Sequence, residues 1–309
     1  MKKDRKIKIN PLACILGTVL IAYTLALFFI MFYGFFNSFK EMNAFRADPV
    51  FLSSAIFDDL AIRRQNNPDA KIFNIENYTT ALTAIQMIDS EQWIIEFPEL
   101  LLNSLLYSCG CAFFATITPC LVAYVTTKYN FRFNGVVYMI VIFVMVTPLV
   151  GTLPTQIRVS RTLGFFDSHV GLWFMSATFL GTYYLVFYGI FKGLSWEYAE
   201  AALMDGANHF TVMVRVMLPL VKNTILVVFL LQFITYWNDF QRSWIFLPNH
   251  PTLSVAVQYS SRSGTDNVNA ISIPVKLASG MLLMLPVLVL FIIFRDKFVG
   301  NLTVGGIKG

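Results

Sequence analysis

The sequence Glu-Ala-Ala-Leu-Met-Asp-Gly at residues 200–206, followed nine residues later by Val-Met-Leu-Pro at 216–219, decides the fold of this chain. It lies in a polar interruption of about 30 residues, between two apolar runs that are each long enough to cross a bilayer. Ser195 can cap a first helix from Trp196, and Gly206 can supply the left-handed residue that ends it. A second helix is predicted at about residues 210–218. A connection that only returned the chain to the membrane would be far shorter, so we predict that this loop docks against a partner at the membrane surface.

The composition around this loop places the chain in a membrane. Of 309 residues, 56% are apolar and 13% are charged, whereas soluble domains carry about 25% charged residues. A hydrocarbon core about 30 Å thick requires roughly 20 apolar residues in each helix. We therefore predict an all-α integral membrane protein with six transmembrane helices, at residues 11–36, 100–126, 136–155, 170–191, 223–239 and 274–294.

The distribution of basic residues predicts that both termini are cytoplasmic, because cationic flanks favour that side. Thirteen of the 23 Lys and Arg residues fall on the predicted inner side. The cytoplasmic segments are then 1–10, 127–135, 192–222 (the coupling loop) and 295–309, and the extracytoplasmic loops are 37–99, 156–169 and 240–273. The net charge of +5 thus reflects topology, and we expect no nucleic-acid partner. The first apolar run is too long for a signal peptide and is predicted to be retained.

The sequence shows no sign of catalytic, nucleotide or metal chemistry. It has no phosphate-binding loop and no nucleophile motif. Its histidines, His169, His209 and His250, are scattered among unrelated loops, so no metal and no bound cofactor are expected. The predicted spans are nearly free of ionisable groups, except Asp239 and Arg242, which could pair across one helical turn. Ion-coupled carriers need such groups in the membrane, so we expect this chain to draw its energy from a partner.

The loop motif resembles that of the permease subunits of ATP-binding-cassette importers. The family pattern is Glu-Ala-Ala-x3-Gly-x9-Ile-x-Leu-Pro, and this chain departs from it only at Val216. Other segments are similar to the carbohydrate-uptake permeases of the maltose-type "G" subunit group. They are Asn77-Tyr78 and Asn103-Ser104, which resemble the entry to span two, Leu163-Gly164, Trp237-Asn238-Asp239-Phe240, and the tail Asn301–Gly309, which departs at Asn301 and Gly306.

The resemblance implies the type I importer fold and a multi-pass subunit of the bacterial cell membrane that catalyses no reaction itself. A second, homologous permease would complete the path, an extracytoplasmic sugar-binding protein would deliver the sugar, and two separate ATP-binding subunits would hold ATP and Mg²⁺. The tail residues Gly306 and Lys308 would lie at the ATPase interface. The residues expected to couple the chain to the ATPase are Glu200, Ala201, Ala202, Asp205, Gly206, Leu218 and Pro219.

Two questions stay open at the level of sequence. The transported solute can be a sugar or oligosaccharide, or alternatively a peptide, amino acid or polyamine, which would predict a different tail and charged groups within the membrane. Trp237 and Asn238 can line a sugar passage, because sugars favour aromatic faces and amide donors, or they can be an interfacial Trp and a helix-ending Asn. For docking, Trp196, Leu203 and Met204 are expected to supply apolar contact.

Overall fold

The computed structural model describes residues 11–50, 60–61, 64–65, 72–88, 94–148, 150–262 and 271–302. Its contacts form two compact units. Unit 1 comprises Met1–Ala84 with Ser260–Met284, and unit 2 comprises Ile85–Tyr259 with Leu285–Gly309.

The described residues are predominantly helical. The helices are α1 Pro11–Ser38, α2 Met42–Ala47, α3 Glu76–Ala84, α4 Phe97–Lys128, α5 Asn134–Val146, α6 Leu153–Thr162, α7 His169–Met175, α8 Thr182–Gly193, α9 Glu197–Met204, α10 His209–Leu220, α11 Lys222–Trp237, α12 Phe240–Phe246, α13 Leu253–Arg262 and α14 Ile273–Leu302. Two short strands, β1 Met87–Ile88 and β2 Ile94–Ile95, pair antiparallel.

Among the described residues, three helical segments are long and apolar enough to cross a membrane. They are Cys14–Ser38, Phe97–Lys128 and Ile273–Lys297. The pair α10 and α11 passes the same test together but is bent by 75° where the two helices meet. Three or four spans follow from length and composition alone, and the six predicted spans stay a prediction.

Two apolar runs that we predicted to be continuous helices are interrupted. The run at 136–155 forms a helix only to Val146, and Thr147 is extended. The reason is Pro148, because a residue before proline is disfavoured in the helical region; Pro154 then sits in the first turn of α6, where its missing N–H costs nothing.

The run at 170–191 is divided into α7 and α8 by residues 176–181. The hydroxyl of Ser176 donates to the Leu172 carbonyl, and the Thr178 hydroxyl accepts from the Leu180 N–H. Such local side-chain bonds offer the backbone an alternative to the helix. The hydropathy of the run conceals this break.

In unit 2, α4 packs against α7, α8 and α11. Small side chains on α4, such as Ala123, are fully buried beside the aromatic rings of Tyr184 and Phe187, which permits close helix approach. The Thr126 and Tyr184 hydroxyls lie 3.0 Å apart within this core. These contacts hold the helices that flank the coupling loop.

In unit 1, the Asn77-Tyr78 pair holds the end of α1. The Asn77 amide donates to the carbonyls of Ser38 and Lys40 at 2.8 Å each. The Tyr78 hydroxyl lies 2.7 Å from that of Ser38. We interpreted Asn77-Tyr78 as part of the entry to span two; the pair lies on α3, which precedes the helix that begins at Phe97.

Candidate functional site

We call Glu197–Leu220 the coupling segment, and its first helix begins as local chemistry predicts. The Glu197 N–H donates to the Ser195 hydroxyl at 3.2 Å. The helix starts at Glu197, one residue later than we predicted, because Trp196 occupies the N-cap position. Glu197 and Glu200 lie in the first turn, where the helix dipole favours negative charge.

The helix ends at a left-handed glycine. Gly206 has φ +86°, its N–H donates to the Leu203 carbonyl, and the Ala207 N–H donates to the Ala202 carbonyl, both at 3.0 Å. This pair of bonds is the Schellman arrangement. A Cβ at residue 206 would meet no atom within 4 Å, so the backbone conformation, and not space, favours glycine here.

The second helix, α10, follows the first after a short connection. The Asn208 side chain accepts from the Thr211 N–H at 2.7 Å and caps the start of α10. The two helices are therefore joined by only four residues, 205–208, and each junction is closed by its own hydrogen bonds. This short connection is therefore held by hydrogen bonds at the end of α9 and at the start of α10.

One face of the coupling segment is buried in the chain's own core and the other is exposed. Ala199 and Val212 are buried. Glu200, Ala201, Asp205 and Gly206 are exposed. Four of the predicted coupling residues thus lie on the outward face, which is available to a partner.

The apolar part of this outward face differs from our expectation. Met204 is 89% exposed, but Leu203 and Trp196 are partly buried and pack on the chain's own core, as does Ala202. Phe210 and Tyr198 are instead the exposed aromatic residues. Sequence reasoning missed Tyr198, although its spacing of three and seven residues from Ala201 and Asp205 marks one helix face.

The outward face carries carboxylates without partners in this chain. The side chains of Glu200 and Asp205 make no hydrogen bond or ion pair with any residue that the structure describes. Glu197 is also exposed. The face therefore combines negative charge with exposed Met204 and Tyr198, which suits a complementary basic and apolar groove.

The coupling segment joins α11 through an elbow. Residues Met213–Met217 form a π-helical turn, and the axis then bends by 75° between α10 and α11. π-turns and prolines are common causes of such kinks. We expected Pro219 in the first turn of the fifth span, but it precedes the bend and Lys222 begins that helix.

The two other predicted coupling residues, Leu218 and Pro219, lie at the elbow. Leu218 is partly buried on the core, and Pro219 is exposed. Both line an apolar groove of about 470 Å³ together with Phe113 of α4 and Phe229 of α11. These residues therefore connect the coupling segment physically to the helices of unit 2.

At the other end of α11, Trp237 and Asn238 are used inside the chain. Trp237 is 1% exposed and its ring stacks on Phe233 at 5.6 Å, so it does not present its ring as an interfacial residue would. Asn238 is exposed, and its amide donates to the Ile234 carbonyl at 2.9 Å. A contact of either residue with a sugar stays a prediction.

Asp239 has a different role from the ion pair that we expected. One carboxylate oxygen accepts from the Arg242 backbone N–H at 3.0 Å and caps α12, and the other accepts from the Tyr107 hydroxyl at 3.3 Å. The Arg242 guanidinium lies 5.9 Å from the Tyr236 ring. In the part of the chain that is described, no Asp239–Arg242 side-chain ion pair forms.

A second aspartate joins two loops that are far apart in sequence. Asp167 has φ 56°, and its carboxylate accepts from the Asn249 N–H at 3.1 Å and from the Asn249 amide at 2.7 Å. The rings of His169 and His250 lie 5.5 Å apart beside it, so two of the three histidines are neighbours and not scattered. Burial lowers the pKa of His169, with a further lowering from His250 and an opposing effect of Asp167.

The tail residues Gly306 and Lys308 lie outside the described residues. Their predicted position at an ATPase interface stays a prediction.

Comparison with known proteins agrees with this architecture. Residues 115–304 match the family described as binding-protein-dependent transport system inner membrane component. The match includes the coupling segment, the elbow and both ends of α11.

Individual relatives are similar over most of the chain. The arabinooligosaccharides transport system permease protein AraQ of Bacillus subtilis is 24% identical, covering 78% of this chain and 81% of its own. The maltodextrin transport system permease protein MdxG of the same species is 27% identical over 61% and 68%. The trehalose/maltose transport system permease protein MalG of Thermococcus litoralis is 22% identical over 86% and 88%.

A solved structure shares the fold. A chain from the crystal structure of a bacterial ABC transporter involved in the import of the acidic polysaccharide alginate matches with a TM-score of 0.70 and 20% identity. The match covers 93% of this chain and 96% of that chain.

Proposed function

We propose, on the premise that this chain belongs to the family of binding-protein-dependent transport system inner membrane components, that it is a permease subunit of an ATP-driven sugar or oligosaccharide importer. The relatives named above are permeases for arabino-oligosaccharides, maltodextrin and trehalose or maltose. These names favour a sugar over a peptide, amino acid or polyamine.

The proposed assembly places this chain in the bacterial cell membrane with six spans and cytoplasmic termini. A second, homologous permease forms the other half of the path, two ATP-binding subunits dock below, and an extracytoplasmic binding protein delivers the sugar. The broken runs at 136–155 and 170–191 are compatible with this arrangement, since irregular backbone at membrane depth is tolerated where protein or a cavity surrounds it.

The observation that carries the coupling role is the helix pair with an outward face of unpaired carboxylates. Switching a two-state gate from 1:99 to 99:1 requires about 5.5 kcal/mol of differential binding. At about 25 cal/mol per Å², roughly 220 Å² of apolar contact supplies this energy. The exposed side chains of Tyr198, Met204 and Phe210 offer contact of that order.

The test is transport by the complex that co-purifies with a tagged form of this chain, reconstituted in vesicles with its binding protein. Accumulation of arabino-oligosaccharide, raffinose or maltodextrin is expected only with ATP and intact ATP-binding subunits. Accumulation without the ATPase would overturn the proposal.

A matched pair at Gly206 tests the docking geometry. Gly206→Val is expected to reduce uptake by more than about tenfold, because a β-branched residue is strongly disfavoured at positive φ. Gly206→Asn tolerates that conformation and should retain most uptake. Equal uptake by the two variants would contradict a role for the left-handed helix end.

A further inference from the structure

A small recess of about 120 Å³ in unit 2 lies where two helices are irregular. On one side is the break between α7 and α8, with Thr178 and Gly181. On another is α4 at Pro119, whose ring lacks the N–H that would bond to Ala115; both residues line the recess. Transporter sites are commonly built where membrane helices are discontinuous.

Three of the five polar side chains that line this recess form no hydrogen bond with a residue that the structure describes. The Gln232 amide and the hydroxyls of Tyr183 and Tyr236 have no hydrogen-bond partner among the residues that the structure describes. All three side chains are partly exposed. A small solute can therefore reach them.

Neighbouring polar groups behave differently. The Tyr184 hydroxyl is held by Thr126, the Tyr107 hydroxyl by Asp239, and the Asn238 amide by the Ile234 carbonyl. Three unused polar side chains thus meet at the recess. Their presence distinguishes the recess from an empty packing defect, which would be apolar.

The lining is chemically suited to bind a neutral, hydroxyl-rich ligand. The phenols of Tyr183 and Tyr236 and the amide of Gln232 offer aromatic faces with donors and acceptors, and no Asp, Glu, Lys or Arg among the described residues lines the recess. An ammonium or carboxylate ligand would find no counter-charge among these lining residues. Because sites for whole ligands usually enclose about 300–1,000 Å³, the recess can hold one face of a sugar ring and not a whole oligosaccharide.

We propose that Tyr183, Gln232 and Tyr236 form a sugar-contacting subsite on this subunit's half of the translocation path. The inference rests on the proposed function. It assigns the solute contact to Tyr183 on α8 and to Gln232 and Tyr236 on α11, next to Trp237 and Asn238, whose role the sequence left open.

The experiment compares Tyr183→Phe, Tyr236→Phe and Gln232→Leu in the reconstituted complex, with Tyr138→Phe as the control. Tyr138 keeps its ring contact with Tyr188 and does not line the recess, so its variant loses a hydroxyl elsewhere. The probes are arabino-oligosaccharide, raffinose and maltodextrin. The readout is sugar carried per ATP hydrolysed, together with the rate of binding-protein-stimulated ATP hydrolysis.

Each recess variant is expected to lower the sugar carried per ATP by about 2- to 10-fold, the effect of one lost hydrogen bond, while stimulated ATP hydrolysis persists. The loss should differ among the three sugars. A purely structural defect would instead lower transport and ATP hydrolysis together, and that result would overturn the inference.

Two further outcomes separate this inference from the proposed function. If the wild-type complex carries sugar and all three recess variants match Tyr138→Phe, the subsite is wrong and the permease function stands. If the wild-type complex carries none of the sugars, the proposed function fails and the subsite fails with it.

Discussion

Four carboxylates at the two ends of unit 2 are used in opposite ways. Glu200 and Asp205, on the coupling segment, have no side-chain partner among the described residues. Asp239 and Asp167, near the other end, each accept two hydrogen bonds. We call the latter two, with the groups that they bind, the aspartate corner.

The difference separates a surface built for a partner from a joint built for the chain itself. A carboxylate that already accepts two hydrogen bonds contributes to stability and has less acceptor capacity left for binding another protein. An exposed, unpaired carboxylate contributes little to stability and remains available for binding. The sequence motif marks Glu200 and Asp205 for coupling but does not show that Asp239 and Asp167 are bonded within the chain. Substitutions at the two ends should therefore separate stability from transport.

The largest effect is expected for charge reversal on the coupling segment. Glu200→Arg should reduce uptake by more than about tenfold, because it opposes the negative face that we propose the ATPase recognises. Its effect on the free energy of unfolding should stay within about 1 kcal/mol, the size of a helix-dipole contribution at an exposed helix end. The measurements are vesicle uptake and co-purification of the ATP-binding subunits.

Glu200→Gln is the graded control for that prediction, since it removes the charge without reversing it. An intermediate loss of uptake is expected. Wild-type uptake by Glu200→Arg in a complex of normal composition would show that the unpaired carboxylate is only a solvated surface group.

A smaller effect on transport, but a larger one on stability, is expected at the aspartate corner. Asp239→Ala removes the cap of α12, at a cost of about 1 kcal/mol, and leaves the buried Tyr107 hydroxyl unpaired, at about 1–3 kcal/mol. The melting temperature of the purified complex should fall by about 2–6 °C. Uptake measured well below that temperature should fall less than for Glu200→Arg.

Asp239→Asn is the matched variant, because asparagine is also a good N-cap and retains an acceptor for Tyr107. It should lose only a fraction of the stability that Asp239→Ala loses. If Asp239→Ala abolished uptake without changing the melting temperature, Asp239 would belong with Glu200, and the comparison would fail.

The coupling segment was predictable from sequence because its signals are local. Ser195 bonds two residues ahead, and Asn208 bonds three residues ahead. The hydrogen bonds that end the helix at Gly206 join residues no more than five positions apart. The exposed and buried faces follow from the same helical spacing, which is why Tyr198 could have been found.

The aspartate corner and the recess were not predictable, because their partners are distant in sequence. Tyr107 and Asp239 are 132 residues apart, and Asp167 and Asn249 are 82 apart. The break at 176–181 is likewise concealed in an uninterrupted apolar run. Composition therefore identified the membrane class, but helix breaks and long-range polar pairs required the fold.

The smallest effect should come from pH acting on His169, which is two residues after Asp167 of the aspartate corner. Both ring nitrogens of His169 are buried without a hydrogen-bond partner in the described structure, and burial, the first cause, lowers its pKa. As the pH falls, the His169 imidazole therefore takes up a proton in the unfolded chain before it does so in the folded chain. The stability that comes from keeping this ring neutral is complete above about pH 6.5 and is lost as the pH falls towards the folded pKa. The melting temperature should fall between about pH 7.5 and 5.5, and His169→Gln should reduce that slope. His209→Gln, on the coupling segment, is the control and should keep the wild-type slope of melting temperature against pH. A wild-type slope in His169→Gln would show that protonation of His169 does not affect stability.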